Sequence, residues 1–168
     1  MHLPTSMTKG LYLAGISMLL CSCHSVTPPK LSASSAREID RGVRQMAAAI
    51  ARDVAAGGPN AWLRYFVDKR GFFMANNGNL QFSSFEDAKT FLATFSAGIA
   101  HLELTWVDIR VDPLAAGLAV MAAGYRETFT DTGGHVRQFA GYFTGLAVQT
   151  DTGWKLRDAH WSSPATAQ

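Results

Sequence analysis

The sequence predicts an α+β domain in which three N-terminal helices pack in a strongly curved antiparallel sheet. Apolar residues recur every three or four positions before residue 99, as in amphipathic helices, and long β-rich stretches follow. The chain has 168 residues, of which 48% are hydrophobic, enough for one core but too few for two ordinary domains. A single folded domain is therefore expected.

Residues 1–22 precede this domain and are predicted to form a lipoprotein signal peptide. Lys9 is the only charged residue before the apolar run 11–20. As a helix this run is about 15 Å long, roughly half the thickness of a ~30 Å hydrocarbon core, so it is too short to span a membrane. The segment Leu20-Cys21-Ser22-Cys23 resembles a bacterial lipobox, which implies cleavage after Ser22 and lipidation of Cys23.

Lipidation of Cys23 implies a membrane anchor. The next residue is His24 and not the Asp that tends to mark inner-membrane retention, so the resemblance implies the periplasmic face of the outer membrane. An ordinary secretory signal is the alternative and predicts a secreted protein. Cys21 and Cys23 are the only cysteines, so the mature domain has no thiol for a disulfide, a thiolate metal site or nucleophilic catalysis.

Residues 23–36 are predicted to be a tether, because they are rich in Ser and Pro and lack apolar periodicity. The domain is expected over residues 37–163, with residues 164–168 as a tail. The first helix is predicted from about Ser35 to Ala56, because one helical face collects five apolar residues: Ile39, Val43, Met46, Ile50 and Val54. The pair Gly57-Gly58 then ends this helix.

A shorter second helix is predicted to begin at Pro59 or Asn60 and to carry the bulky residues Trp62, Leu63, Phe66 and Val67. The turn Asn76-Asn77-Gly78 between two apolar stretches predicts a short hairpin. Ser84 and Asp87 approximate a capping box for a third helix. Its apolar face comprises Phe85, Ala88, Phe91, Leu92 and Phe95.

Four β-rich stretches follow the third helix, at residues 100–112, 116–130, 136–149 and 154–162. They are separated by Asp112-Pro113, by residues 131–134 and by residues 151–153, all short turn sequences. Turns this short join antiparallel strands, so the sheet is predicted to be antiparallel. The helices then close one of its faces.

Three sequence runs resemble the SnoaL-like branch of the nuclear transport factor 2-like superfamily: Tyr125-Arg126-Glu127-Thr128-Phe129, Thr132-Gly133-Gly134, and Gly153-Trp154-Lys155-Leu156 followed by His160-Trp161-Ser162. The resemblance covers roughly residues 36–163. It implies a cone-shaped SnoaL-like, or cystatin-like, fold whose bent sheet wraps a long helix and leaves a pocket in its open end. This superfamily includes isomerases, cyclases, dehydratases, kinase-association domains and binders without catalysis, so the fold alone does not define the function.

Candidate site residues follow from the alternation of side chains along the last strand. Trp154, Leu156, Asp158, His160 and Ser162 are predicted to share one sheet face, and Lys155, Arg157, Ala159 and Trp161 the other. Asp158 and His160 are therefore the best acid/base candidates, and a buried structural role is the alternative for His160. Possible hydrogen-bond donors are Tyr125, Tyr142 and Trp62, and the expected apolar lining is Phe66, Met74, Phe95 and Trp106.

Several classes of partner are excluded or disfavoured. Lys plus Arg number 15 against 13 for Asp plus Glu, with no segment of one sign, which argues against nucleic acid. No metal is expected, because His101, His135 and His160 lie in separate elements, and no cofactor motif is present. Three hypotheses remain: a lipoprotein that binds a small, largely apolar molecule, an isomerase, cyclase or dehydratase using Asp158 and His160, and a non-catalytic interaction module. A homodimer paired through the outer sheet face is expected.

Overall fold

A computed structural model describes residues 31–164 of the chain. The predicted signal peptide, the predicted lipidation site Cys23 and most of the predicted tether and tail lie outside these residues. Helix α1 covers Ala33–Gly57, a 3-10 helix covers Pro59–Tyr65, and α2 covers Phe85–Ala97. The strands are β1 (Phe73–Asn76), β2 (Asn79–Phe82), β3 (Ile99–Ala115), β4 (Leu118–Asp131), β5 (Val136–Thr150) and β6 (Gly153–Ser162).

Helix α1 begins earlier than the sequence predicts. The Ser32 hydroxyl accepts a hydrogen bond from the backbone N–H of Ser35 at 3.1 Å and so caps the helix at Ala33. Residues 33–36, assigned above to the tether, are therefore helical. The predicted apolar face is the buried one, and Ala47 joins it: Ile39, Val43, Met46, Ala47, Ile50 and Val54. Gly58 ends the helix at a φ of 68°, a conformation that favours glycine.

The predicted second helix forms as one short 3-10 segment. It ends at Tyr65, so Phe66 lies in extended backbone and forms an isolated bridge to Leu156 of β6, and the Val67 N–H donates to the Leu156 carbonyl at 2.9 Å. Trp62 and Phe66 are nevertheless buried and stacked, with ring centroids 5.8 Å apart. The bulky cluster therefore joins the core although the helix is shorter than predicted.

The hairpin and the third helix agree with the sequence analysis. Asn77 and Gly78 have φ values of 47° and 81°, as a tight hairpin turn between β1 and β2 requires. The Ser84 hydroxyl accepts from the backbone N–H of Asp87 at 3.1 Å and caps α2. This turn and this cap each depend on neighbouring residues, which is why the sequence pattern predicts them well.

The six strands form one sheet in the order β2-β1-β6-β5-β4-β3. The sheet is antiparallel except that β1 pairs with β6 in parallel, a correction to the sequence prediction. No hairpin joins β1 to β6, because α2, β2 and the remaining strands lie between them in sequence. Local turn signals therefore carry no information about the relative direction of β1 and β6.

A second correction concerns Asp112-Pro113, which lies within β3; the turn follows at Ala116-Gly117. Because β3 is an edge strand, it tolerates a proline.

Two irregularities bend the sheet around α1. The β3–β4 register shifts between Val107 and Arg110, where Asp108 has a φ of 50°, and the β5–β6 register shifts at Arg157. Such bulges increase local twist and curvature. The concave face packs on α1 and the 3-10 helix, and its buried strand residues include Leu102, Leu104, Met121, Phe143 and Leu156. The core fills one end of this curved sheet, and the other end stays open.

Candidate ligand cavity

A cavity of about 580 Å³ occupies the open end of the curved sheet. Its walls are the concave face of β4 and β5, the last turn of α2, the β1–β2 turn and the end of β6; they include Tyr125, Glu127, Phe129, Phe139, Phe95 and Trp161. The turn is tied to β6 because the Asn77 N–H donates to the Trp161 carbonyl at 3.0 Å, and the Ser163 N–H donates to Asn77 Oδ1 at 2.7 Å. These bonds hold one wall of the cavity in place.

A second pocket of about 190 Å³ continues from the first toward the core. The two spaces share Asn76, Phe95, Glu127, Phe129 and Trp161, so they adjoin along this set. The inner pocket is lined mostly by apolar side chains, among them Trp62, Phe66, Met74, Phe82, Phe91 and Leu102. The whole space is therefore apolar at its inner end, with one carboxyl, that of Glu127, at the junction.

Glu127 is the residue on which the chemistry of this cavity depends. On β4 the alternate residues Ala119, Met121, Ala123 and Tyr125 are buried on the concave face, and Glu127 is next in this series. Its carboxyl forms no hydrogen bond or ion pair with any side chain in residues 31–164. Burial among aromatic side chains raises the pKa of Glu127 to about 7. Near neutral pH much of it is therefore protonated and can donate a hydrogen bond.

Sequence reasoning did not select Glu127, although it lies in the quoted run 125–129. The available signal was its position two residues after Tyr125, because residues i and i+2 of a strand share a face. A carboxylate at that position looks like an ordinary solvent-facing charge until the strand is known to line a cavity. Only the placement of α2 and the β1–β2 hairpin over this end of the sheet encloses it.

Tyr125 lines the larger cavity and hydrogen-bonds to the end of β6. Its hydroxyl lies 2.9 Å from Ser163 Oγ, and its ring meets Trp161 edge to face, with centroids 4.6 Å apart. Burial raises the pKa of the Tyr125 phenol, so the hydroxyl stays protonated at neutral pH. Tyr125 and Glu127 therefore present two potential donors on the same wall.

The other residues predicted for the site fall into three places. Trp62, Phe66 and Met74 line the inner pocket, and Phe95 lines both spaces. Trp106 lies outside both: its ring packs in the core, and Nε1 donates to the Ala47 carbonyl of α1 at 2.9 Å. Tyr142 is 46% exposed and pairs with Ser162 on the convex face, away from the cavity.

Asp158 and His160 also lie on the convex face, which corrects the predicted acid/base pair. The bulge at Arg157 inserts one residue, so Leu156 faces the core together with Ala159 and Trp161. Beyond the bulge the alternation is reversed: His160 is exposed, and Trp161 takes the cavity-facing position that the sequence assigns to His160. Burial raises the pKa of Asp158, and the positive charge of Arg157, whose Nε lies 3.9 Å from Asp158 Oδ1, opposes this shift. The Asp158 carboxyl does not reach the cavity.

Charged side chains gather at the cavity rim, on the β4–β5 hairpin. Asp131 Oδ1 accepts from the backbone N–H groups of Gly133 and His135, both at 2.9 Å, and the His135 ring lies 3.1 Å from Asp131 Oδ2. The His135 backbone hydrogen bond is the main reason why the pKa of Asp131 is lowered. Arg137 lines the same rim.

Metal ligation and membrane spanning have no support in the described region. Residues 31–164 contain no group of three or more His, Cys, Asp or Glu side chains placed to hold a metal ion. None of the helices in this part of the chain is long and apolar enough to cross a bilayer.

Comparisons with known proteins identify the fold. No protein-family model matches the sequence, and no curated protein does. A Novosphingobium aromaticivorans DSM 12444 structure, provisionally named a scytalone dehydratase, is similar with a TM-score of 0.71 and 13% identity, covering 81% of this chain and 91% of that one. A nuclear transport factor 2-like superfamily protein from Salmonella enterica serovar Typhimurium LT2 has a TM-score of 0.59 and 16% identity, over 80% and 94%.

A third structure, from Streptomyces avermitilis, is provisionally named a dehydratase of the nuclear transport factor 2-like family. Its TM-score is 0.65 at 14% identity, covering 77% of this chain and 99% of that chain. These similarities show that residues 31–164 have the nuclear transport factor 2-like cone fold, and they confirm the predicted α+β class with its curved sheet. At such low identity they show the fold and leave the activity to be argued from the cavity.

Proposed function

We propose that this domain binds a small, largely apolar molecule in the cavity, with protonated Glu127 donating a hydrogen bond to a polar atom of that molecule. One observation carries the proposal: an unpartnered carboxyl at the junction of two adjoining, aromatic-lined spaces. Glu127 is half-buried and its carboxyl stays accessible from the cavity, so a hydrogen-bond acceptor on a ligand would replace water as its partner.

The size and lining of the cavity support a small-molecule ligand. Pockets for such ligands measure about 300–1,000 Å³ and are mostly apolar with a few placed polar groups. The outer space of about 580 Å³ falls in this range. The inner pocket of about 190 Å³ has room for a ring or a short chain of the same molecule.

A second candidate function is acid/base catalysis by Glu127, in an isomerase, cyclase or dehydratase. The observation that favours it is the pKa of about 7, because a general acid or base works best when its pKa is near the ambient pH. Two of the similar structures carry provisional dehydratase names, which is in keeping with this candidate. Asp158 and His160 take no part in it, because they lie on the opposite face of the sheet.

The location is also a proposal. We infer that Cys23 is lipidated and holds the domain at the periplasmic face of the outer membrane, through a tether that ends near Ser32. The support is the lipobox-like segment Leu20-Cys21-Ser22-Cys23, followed by His24. A ligand entering this cavity would then come from the periplasm or from the adjacent membrane.

Binding is tested with the full-length protein purified in mild detergent. Native mass spectrometry detects a retained ligand, and the fluorescence of the neutral apolar probe N-phenyl-1-naphthylamine reports occupation of the cavity. Phe129→Asp places a charge in the aromatic wall and should weaken probe binding at least tenfold. Thr128→Asp is the matched control on the neighbouring, convex-facing position of β4. Equal probe binding by both variants, or none by the wild type, would contradict the proposal.

A further inference from the structure

A cationic side chain, that of Arg137, lies at the cavity rim. Along β5, Phe139 pairs with Glu127 of β4, and Arg137 pairs with Phe129. Arg137 therefore lies two residues further out on the same concave face, about 7 Å along the strand from the position opposite Glu127. Its side chain lines the outer cavity together with Phe129 and Phe139.

No acid of the described chain neutralises Arg137. Among residues 31–164 its guanidinium forms no ion pair and no side-chain hydrogen bond, and the ion pairs found there lie elsewhere. Asp131 is an acid of the same rim, but its carboxylate is held by the hairpin turn, through Gly133 N–H, His135 N–H and the His135 ring. Asp131 is thus hydrogen-bonded within its own turn, whereas the Arg137 guanidinium has no partner among residues 31–164.

The charged and titratable groups that face this space are Tyr125, Glu127, Asp131, His135 and Arg137, of which Tyr125 stays neutral because burial raises its pKa. At pH 7 about half of Glu127 is protonated, and the Asp131 carboxylate is bonded to its own turn, so Arg137 is the exposed cation of this space without an acidic partner among residues 31–164. A planar guanidinium matches the two oxygens of a carboxylate in a bidentate geometry. A doubly charged phosphate would meet a single cation and the Asp131 carboxylate, so it fits this rim less well.

We infer that the ligand is an amphipathic monocarboxylate, whose carboxylate pairs with Arg137 at the rim and whose apolar body extends past Phe129 and Phe139 toward the inner pocket. This inference rests on the proposed function, because it assigns a ligand class to the same cavity. It also fixes the orientation, with the charged end outward. A polar atom inside the body of the molecule would then lie near Glu127.

The test compares a carboxylate with its neutral isostere. Binding of 2-naphthylacetate and 2-naphthylacetamide is measured at pH 7 by displacement of N-phenyl-1-naphthylamine and by calorimetry. For the full-length wild type, the acid should bind at least tenfold more tightly than the amide. Arg137→Gln should remove this preference and leave the affinity for the amide within about twofold. Arg126→Gln is the matched control, because it removes the same charge from an exposed position on the convex face of β4.

The outcomes separate this inference from the proposed function. Probe binding without a preference for the acid, or an equal loss of acid and amide affinity in Arg137→Gln, overturns the carboxylate assignment and leaves cavity binding intact. Absence of binding by the probe, the acid and the amide overturns the proposed function itself. A loss of acid preference in Arg126→Gln as large as that in Arg137→Gln would reduce the effect to general surface charge and also overturn the inference.

Discussion

Glu127→Gln should change how the stability of the domain depends on pH. The pKa of Glu127 rises from 4.5 to about 7 on folding, so the folded state binds this proton more tightly than the unfolded state. At 1.36 kcal/mol per pKa unit, the difference corresponds to about 3 kcal/mol. Because the pKa is raised, this free energy is present below pH 4.5 and is lost as the pH rises to about 7, which makes the wild type less stable in alkaline buffer.

The assay is denaturant unfolding of the wild type and Glu127→Gln at intervals from pH 4 to pH 8. The amide stays neutral, so the two proteins should have similar unfolding free energies at pH 4. At pH 8 the variant should be more stable by about 2 to 3 kcal/mol. Glu38→Gln, at an exposed position of α1 that forms no ion pair among residues 31–164, is the matched control and should follow the wild type throughout. A wild-type minus variant difference that does not change between pH 4 and pH 8 would refute the burial argument.

Three further predictions concern other parts of the molecule. Cys23→Ser should release the protein from membranes while Cys21→Ser should not, since only the former removes the lipid attachment; fractionation and the mass of the N-terminal peptide decide this, and an unlipidated terminus downstream of residue 23 would contradict it. The protein should be a homodimer that buries about 800 Å² or more per partner, because the convex sheet leaves Phe73, Leu80 and Tyr142 exposed. Light scattering should report twice the monomer mass, and a monomer at high concentration would count against pairing. His160→Ala should lower the unfolding free energy by less than about 1 kcal/mol and leave probe binding unchanged, because this side chain is exposed on the convex face; weaker binding would mean that the strand faces are assigned incorrectly.

The helices and turns could be predicted because their signals are local. The apolar stripe of α1, the Asn77-Gly78 turn and the Ser84 cap each depend on residues within a few positions of one another. Prediction is less accurate where a neighbouring strand determines the local structure. In the sequence, Pro113 looks like the end of a strand, yet β3 continues through it. β3 lies at the edge of the sheet, where a residue without a backbone N–H is tolerated.

The candidate site shows the same division more sharply. The sequence predicts Tyr125 and Trp62 as donors and Phe66, Met74 and Phe95 as apolar lining; each of these lines at least one of the two spaces, whereas Tyr142 and Trp106 line neither. Strict alternation along β6 predicts Asp158 and His160 as the acid/base pair, and a single bulge at Arg157 reverses that alternation. A bulge depends on how β5 and β6 pair, so a pattern within one strand does not contain it.

By itself the sequence determined the α+β class, the order of the elements and the apolar faces that build the core, because hydrophobic periodicity and turn chemistry act over a few residues. Only the tertiary structure decided which polar residues share the cavity. Glu127 and Arg137 lie on neighbouring strands, ten residues apart in sequence, and Trp161 joins them from β6. Their environment, and with it the raised pKa of Glu127, exists only once α2 and the β1–β2 hairpin cover the open end of the sheet and keep most of the water away from that carboxyl.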